Sequence, residues 1–206
     1  MRKTEKKYIK AVHISLIILI PVLIYLLSFS SVIYNQEFIE SQMKKSGLVR
    51  YSLEVNSLVV GYLAEEDEAG LLELEVFNEK EKQHLLDVKK VIHRTFDVLF
   101  LLLAIFFALV YYNYKLNNNK NWQKILIYSG MIAVALPIVL YFIPFETLFA
   151  AFHNIFFADG SWVFAPGSAL IQIYPFDFWH NAAFGLFLRG FVTGWLLIIL
   201  GFIVGK

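Results

Sequence analysis

Two histidines stand close to long apolar stretches of this chain, and their chemistry is the first functional lead. His84 opens the segment His84-Leu-Leu-Asp-Val-Lys89, a few turns before an apolar run, and His153 lies in Phe152-His153-Asn154, just after another. Imidazole changes charge near neutral pH, so it serves as an acid or a base under physiological conditions. Ionisable groups beside a bilayer frequently mark functional sites. The pair therefore indicates proton-transfer chemistry at a lipid surface.

The elements that must position these histidines are membrane helices. Of the 206 residues 58% are hydrophobic and only 17% are charged, which is too apolar for a soluble domain of this length. Four apolar stretches are long enough to span a bilayer, roughly 11–33, 96–112, 125–144 and 181–204. Pro21 falls within the first, as membrane helices allow. This predicts one membrane domain with four spans.

The distribution of basic residues predicts the orientation of these spans. Basic residues cluster before the first span, and Lys115, Lys120 and Lys124 lie between the second and the third. Since cytoplasmic loops carry the excess of Lys and Arg, both termini are expected in the cytoplasm. The predicted organisation is 1–34 for the N-terminus and first span, 35–95 for an extracytoplasmic cap and the start of helix two, 96–145 for spans two and three, 146–180 for an extracytoplasmic interfacial segment, and 181–206 for span four.

The cap is expected to be of mixed structure. Residues 51–63 and 71–77 are rich in β-branched and aromatic residues or alternate in polarity, and the acidic stretch 64–70 between them ends in glycine. We predict a hairpin here, with part of 51–63 helical as the alternative. Asn78 and Glu81 have the spacing of a capping box, which predicts that helix two begins there and continues to Leu116. The predicted fold class is an all-α membrane bundle of four transmembrane helices with a small mixed α/β extracytoplasmic cap.

Three charged residues near the spans are candidates to assist the histidines. Asp87, one turn from His84, is a candidate to orient its imidazole, and the alternative is a solvated helix face that pairs with a neighbouring lysine. Arg189 lies about 13 Å along span four, and Asp97 is the carboxylate expected to be its partner, in a structural brace or a polar pocket. Gly190 and Gly194 have the spacing of a close-packing seam.

Several other chemistries are disfavoured by the sequence. The net charge is +1, so charge provides no argument for nucleic acid, and the absence of cysteine excludes thiolate catalysis. Glu81-x-x-His84 is half of a carboxylate metal motif without a second copy. No Gly-x-Ser-x-Gly elbow is present. We therefore expect no metal and no cofactor, and a covalent acyl-enzyme has no obvious nucleophile.

The ordered motifs resemble those of one family. They are His84-Leu-Leu-Asp-Val-Lys89, Phe152-His153-Asn-Ile-Phe-Phe157, Trp162, Pro166 and Leu170-Ile-Gln-Ile-Tyr-Pro175. In this order and spacing they are similar to the lipoprotein intramolecular transacylases, the Lit family of Gram-positive bacteria. The resemblance implies an enzyme of the bacterial cytoplasmic membrane, active at its outer surface on diacylglyceryl-modified lipoproteins. The acyl chain at sn-2 would move to the α-amino group of the same cysteine.

The resemblance maps the family's two functional histidines onto His84 and His153. Trp162, which fits an aromatic belt at the membrane surface, joins Asp87, Asp97 and Arg189 as candidates for binding or orienting substrate. A neutral imidazole is a suitable base for a protonated amine, and a second can serve the oxyanion or the leaving oxygen. Which histidine is the base stays open. The alternative is a non-catalytic lipid-binding or accessory protein, which should tolerate alanine at both histidines.

Overall fold

The secondary structure of the described residues is entirely helical. The computed structural model describes residues 3–33, 35–45, 50–64, 75–117 and 121–205. Its helices are α1 (Lys3–Ile33), α2 (Gln36–Lys45), α3 (Arg50–Ala64), α4 (Glu79–Asn117), α5 (Trp122–Tyr141), α6 (Phe145–Phe156), α7 (Ala169–Ile173) and α8 (Phe176–Val204).

Four of these helices are long and apolar enough to cross a membrane, namely α1, α4, α5 and α8. The prediction of four membrane helices is thus confirmed. Helix α4 has 39 residues, a length of about 58 Å, which is nearly twice the roughly 30 Å of a bilayer's hydrocarbon core. Its charged residues lie mainly before residue 98, so its apolar second half supplies the span. His84 precedes that half by several turns.

The chain forms two compact units. Unit 1 comprises Met1–Phe29, Asp97–Phe142 and Leu186–Lys206, and unit 2 comprises Ser30–Phe96 and Ile143–Gly185. The membrane-spanning stretches fall mostly in unit 1. Both histidines of interest fall in unit 2.

Within unit 1, a proline in α1 is compensated by a hydroxyl group from α5. Pro21 has no backbone N–H, so the carbonyl of Ile17, four residues earlier, loses its partner in the helix. The Ser129 hydroxyl donates to this carbonyl at 3.3 Å. An unsatisfied carbonyl is costly in lipid, so this bond makes Pro21 tolerable and links α1 to α5.

The reverse arrangement is found at the proline of α5. Pro137 frees the carbonyl of Ala133, and the Tyr25 hydroxyl of α1 donates to it at 2.6 Å. The glycines of α8 pack in the same region, since a Cβ at Gly194 would lie 3.0 Å from the Ala133 side chain and Gly190 lies against the Tyr25 ring. This confirms the close-packing interpretation of the two α8 glycines.

In unit 2 the prediction of a hairpin and of a mixed α/β cap is wrong, and the alternative of a helix within 51–63 is confirmed. Residues 50–64 form helix α3, residues 75–77 form a turn, and no strand occurs in the residues that the structure describes. The rest of the predicted second strand, 71–74, lies outside them. Val55, Val59, Tyr62 and Leu63 are buried, and their spacing of four, three and one residues is that of one helix face. Burial of this face outweighs the strand propensity of its β-branched and aromatic residues.

Candidate functional site

Helix α4, which carries His84, begins at a reciprocal capping box. The backbone N–H of Asn78 donates to Oε2 of Glu81 at 2.9 Å, and the N–H of Glu81 donates to Oδ1 of Asn78 at 3.1 Å. The predicted capping box is therefore confirmed. Because two amide groups of the first turn are satisfied by side chains, the start of α4 has a defined position. His84 lies one turn further along.

The His84 imidazole is buried among aromatic rings. The residue is 9% exposed, and its ring centroid lies 4.8 Å from that of Phe157 and 5.4 Å from that of Phe164. Its Nδ1 is buried and has no hydrogen-bond partner among the described residues. A buried polar nitrogen without a partner is costly, so this site is prepared to gain a hydrogen bond from a ligand.

His153 lies on the amphipathic helix α6, where a backbone bond determines its tautomer. Its Nδ1 lies 2.8 Å from the carbonyl oxygen of Phe149. A carbonyl oxygen only accepts, so Nδ1 must carry the proton and donate. In the neutral ring Nε2 is then the atom with the free lone pair. This is the form that a general base requires.

The two imidazoles lie side by side within unit 2. Their ring centroids are 6.2 Å apart and their planes differ by 22°. This distance falls within the roughly 10 Å that one ester group allows for two groups that both contact it. The structure thus brings the two predicted histidines together.

Burial keeps both imidazoles in the neutral form. The pKa of His84 is lowered to about 4, chiefly by burial and then by the nearby His153, with a smaller opposing effect of Asp87 and a further lowering by Lys80. Burial also lowers the pKa of His153, and the bond to the Phe149 carbonyl opposes this. Both residues lie outside the membrane-spanning stretches, since His84 precedes the apolar half of α4 and His153 follows α5. At neutral pH they are two uncharged groups, one suited to accept a proton and the other to donate a hydrogen bond.

An aromatic wall encloses His153. The ring of Trp162, a predicted site residue, lies 4.8 Å from that of His153, and Phe149 lies 4.1 Å away. The indole Nε1 of Trp162 is buried and has no hydrogen-bond partner among the described residues. The structure therefore places Trp162 beside the histidine pair, and its binding role stays a prediction.

Three further residues were predicted to bind or orient the substrate, namely Asp87, Asp97 and Arg189. Asp87 accepts from the Lys90 ammonium at 3.3 Å, which agrees with the alternative of a solvated helix face. Asp97 is exposed on α4 and Arg189 is half-buried on α8, both in unit 1. The pairing of Asp97 with Arg189, and a role for either in the site, stay predictions.

Two residues that the sequence-based site did not include lie in the first turn of α4. Besides the cap, Glu81 accepts a second bond, from the backbone N–H of Leu170 to Oε1 at 2.9 Å, and it is 1% exposed. The Lys80 ammonium donates to the carbonyl of Val163 at 2.7 Å. The capping-box spacing identified Glu81, but nothing local in sequence indicates partners more than 80 residues away.

Both oxygens of the Glu81 carboxylate accept hydrogen bonds from backbone amides. This is relevant to the sequence Glu81-x-x-His84, which is half of a carboxylate metal motif. Within the part of the chain that the structure describes, no group of three or more His, Cys, Asp or Glu residues is arranged to hold a metal ion. Glu81 has a structural explanation in its two amide partners.

Fold and site together define a multi-pass membrane protein whose unit 2 holds a pair of neutral histidines, His84 buried and His153 half-buried. The family model described as lipoprotein intramolecular transacylase Lit matches residues 9–179. The chain belongs to the Lit family. The family assignment and the enzyme class predicted from the motifs are thereby confirmed.

Solved structures of Lit proteins have the same fold as this chain. The membrane integral lipoprotein intramolecular transacylase Lit from Bacillus cereus, determined in meso, superposes with a TM-score of 0.79 at 21% identity, over 95% of this chain and 94% of that one. A variant of it with one histidine replaced by arginine gives a TM-score of 0.77, over 98% of this chain and 94% of that one, at the same 21% identity. At this identity the likeness establishes the fold.

A curated relative adds no functional information. It is an uncharacterized protein of Aquifex aeolicus, 28% identical over 133 residues, which are 63% of this chain and 58% of that protein. The match thus spans somewhat more than half the length of the Aquifex protein.

Proposed function

We propose that this protein is an intramolecular transacylase of bacterial lipoproteins. It moves the sn-2 acyl chain of a diacylglyceryl-cysteine onto the α-amino group of the same cysteine, leaving an N-acyl, S-monoacylglyceryl lipoprotein. The observation that carries the proposal is the pair formed by the buried His84 and the half-buried His153, whose ring centroids are 6.2 Å apart. In this pair His153 has a defined free lone pair. The family and fold support the same reaction.

His153 is the base in this proposal. The amine attacks the ester carbonyl only after it has lost a proton, and Nε2 of His153 is the atom available to accept it. The bond from Nδ1 to Phe149 stabilises the imidazolium that forms, because a carbonyl oxygen attracts the positive charge. The reaction forms a C–N bond and breaks the C–O bond at sn-2. The α-ammonium loses two protons in all: the first passes through His153 to solvent before the attack, and in the transfer itself the second passes through His153 from the attacking nitrogen to the glycerol oxygen.

His84 is the hydrogen-bond donor to the ester. With a pKa near 4 it is uncharged at neutral pH and a weak base. A neutral imidazole still has one N–H, which can donate to the oxyanion of the tetrahedral intermediate or to the leaving oxygen. The aromatic surroundings exclude water, which strengthens such a bond.

No residue of the protein needs to carry the acyl group. Amine and ester belong to one substrate molecule, so binding it in a folded conformation supplies a high effective concentration. The protein's task is to bring the two ends of the lipid head together and to move one proton. Direct transfer is accordingly the simplest mechanism.

The site belongs on the outer side of the cytoplasmic membrane in this proposal. Lipoproteins carry their lipidated cysteine at that surface, and the clustering of basic residues predicts that the segments holding both histidines lie outside. Single cysteines introduced at Glu66 and at Asn118 test this, since a membrane-impermeant reagent should label only the former from outside. Labelling of Asn118 alone would exclude the orientation.

Fragmentation mass spectrometry of a synthetic diacylglyceryl lipopeptide tests the reaction. Transfer within one molecule leaves the mass unchanged, so the fragments must show an acyl chain on nitrogen and a single chain on glycerol. His153→Ala should reduce the rate about a hundred- to ten-thousandfold, and His84→Ala about a hundred- to a thousandfold. His180→Gln is the matched control, because His180 packs against Phe145 instead of the pair.

Two results would refute the proposal. One is an N-acyl chain that derives from added phospholipid, which would indicate transfer between molecules. The other is full activity in cells of the variants with alanine at His84 and at His153, which would favour a non-catalytic accessory protein.

A further inference from the structure

The wall of the histidine site is formed largely by residues 157–170, an irregular stretch that ends in the first turn of α7. It contributes Phe157, Trp162 and Phe164, whose rings lie 4.8, 4.8 and 5.4 Å from the nearer imidazole. Between the end of α6 and the start of α7 this segment consists of turns. Because turns have few internal hydrogen bonds, the segment depends on other elements for its position.

The first turn of α4 holds this segment at two points. Lys80 donates to the Val163 carbonyl at 2.7 Å, and its ammonium lies 5.2 Å from the centroid of the Phe164 ring. Seven residues further along, the N–H of Leu170 donates to the buried carboxylate of Glu81 at 2.9 Å. Hydrogen bonds to a charged group are stronger than those between neutral groups. Lys80 and Glu81 of α4 therefore hold the middle and the end of the segment by hydrogen bonds.

The geometry connects these contacts to the imidazoles. Phe164 contacts both Lys80 and His84, and Trp162, next to Val163, contacts His153. His84 itself lies one helical turn after Glu81 on the same helix. The two hydrogen bonds from α4 to the segment thus determine how Trp162 and Phe164 pack on the imidazoles.

We propose that Lys80 and Glu81 are positioning residues for acyl transfer, which hold the 157–170 segment so that Trp162 and Phe164 keep the two imidazoles in reacting geometry. The inference rests on the proposed function and deepens it. Neither residue touches the reacting atoms. Their loss lets the wall move and admits water, so the catalytic step slows while the affinity for the lipid chains changes little.

Lys80→Met in the full-length protein is the central test, with a diacylglyceryl lipopeptide as substrate. Lys80 is exposed, so its replacement should be compatible with folding. We expect kcat to fall about ten- to a hundredfold, since small misplacements have effects of this size, with KM nearly unchanged. Lys80→Arg should restore most of kcat, because guanidinium also donates to a carbonyl and stacks on an aromatic ring.

Lys82→Met is the matched control. Lys82 lies in the same turn of α4, its side chain is 14% exposed, and it forms an ion pair with Glu79 of the same helix at 3.7 Å. Its replacement by the unbranched Met removes the same charge and leaves in place both hydrogen bonds to the 157–170 segment, so kcat should stay at the wild-type value.

Hydrogen exchange gives a readout that needs no substrate. Glu81→Gln replaces one of two accepting oxygens by a donor, so the amide of Leu170 should exchange faster in this variant than in the wild type. Unchanged exchange at Leu170 would overturn the inference, as would wild-type kcat in Lys80→Met or an equal loss in Lys82→Met. Inactive wild-type protein would instead refute the proposed function, so the two failures are distinguishable.

Discussion

The low pKa of His84 leads to a measurable dependence of stability on pH. A histidine in water has a pKa of 6.5, and that of His84 is about 4 in the folded protein. Each tenfold change in an acid constant corresponds to about 1.4 kcal/mol, so the folded state disfavours a proton on His84 by about 3 kcal/mol. The imidazole is only 9% exposed, so solvent screens this effect little.

The sign of the effect follows from proton linkage. Between pH 6.5 and 4 the unfolded chain binds a proton at His84 that the folded protein does not, so acid favours unfolding. The contribution of His84 is therefore absent above about pH 7 and destabilises the protein progressively as the pH falls to 4. Replacement by glutamine, which does not titrate, should remove up to about 3 kcal/mol of this acid sensitivity.

Thermal unfolding of the wild type and of His84→Gln, measured in detergent between pH 7.5 and 4.5, tests the stability effect. NMR titration of labelled histidine gives the pKa itself. His153→Gln should raise the pKa of His84 only part of the way, since burial is the largest cause, and Asp87→Asn should lower it further. A titration of His84 near 6.5 would refute the buried, neutral site.

Three further predictions concern stability. Tyr25→Phe and Ser129→Ala each remove the hydroxyl that donates to a carbonyl freed by a proline. Each should lower the free energy of unfolding, measured by thermal unfolding, by about 0.6 to 2 kcal/mol. A double variant no less stable than the wild type would contradict this account. Asn78→Ala removes one half of the capping box and should cost about 1 kcal/mol, with Asn78→Asp as the variant that retains the cap. Tyr174→Phe removes the bond at 2.9 Å to the buried side chain of Asn56 and should cost about 1 to 3 kcal/mol, measured in the same way.

Burial also affects the phenol of Tyr174, whose pKa is raised above its usual value of 10 because the hydroxyl lies in an apolar environment. The hydroxyl therefore stays protonated throughout the pH range of these experiments. It acts as the donor to Asn56 and contributes no pH dependence of its own.

Sequence periodicity was reliable where one interaction dominates over a long stretch. The four spans were predicted from long apolar runs, which the lipid environment alone explains. The start of α4 was predicted from Asn78 and Glu81, which lie three residues apart. Sequence periodicity was wrong at residues 51–63, where β-branched residues favoured a strand over the alternative of a partial helix. There Val55 and Val59 are buried four residues apart on a helix face, and the packing that buries them is not visible in a local pattern.

The features of the site also divide into those that the sequence predicted and those that only the tertiary structure determined. The types and neighbourhoods of His84 and His153 indicated proton-transfer chemistry beside lipid. The family was predicted from the joint order and spacing of several motifs, in which the two histidines are only two members. The tertiary structure decided their 6.2 Å separation and the depression of the His84 pKa, which depend on residues that lie far apart in the chain. The tautomer of His153 depends on a carbonyl only four residues earlier in α6, once that helix has formed. The tertiary structure also revealed that Lys80 and Glu81 reach Val163 and Leu170. Hydrogen bonds between distant segments arise only when folding brings those segments together, so no local pattern of residues encodes them.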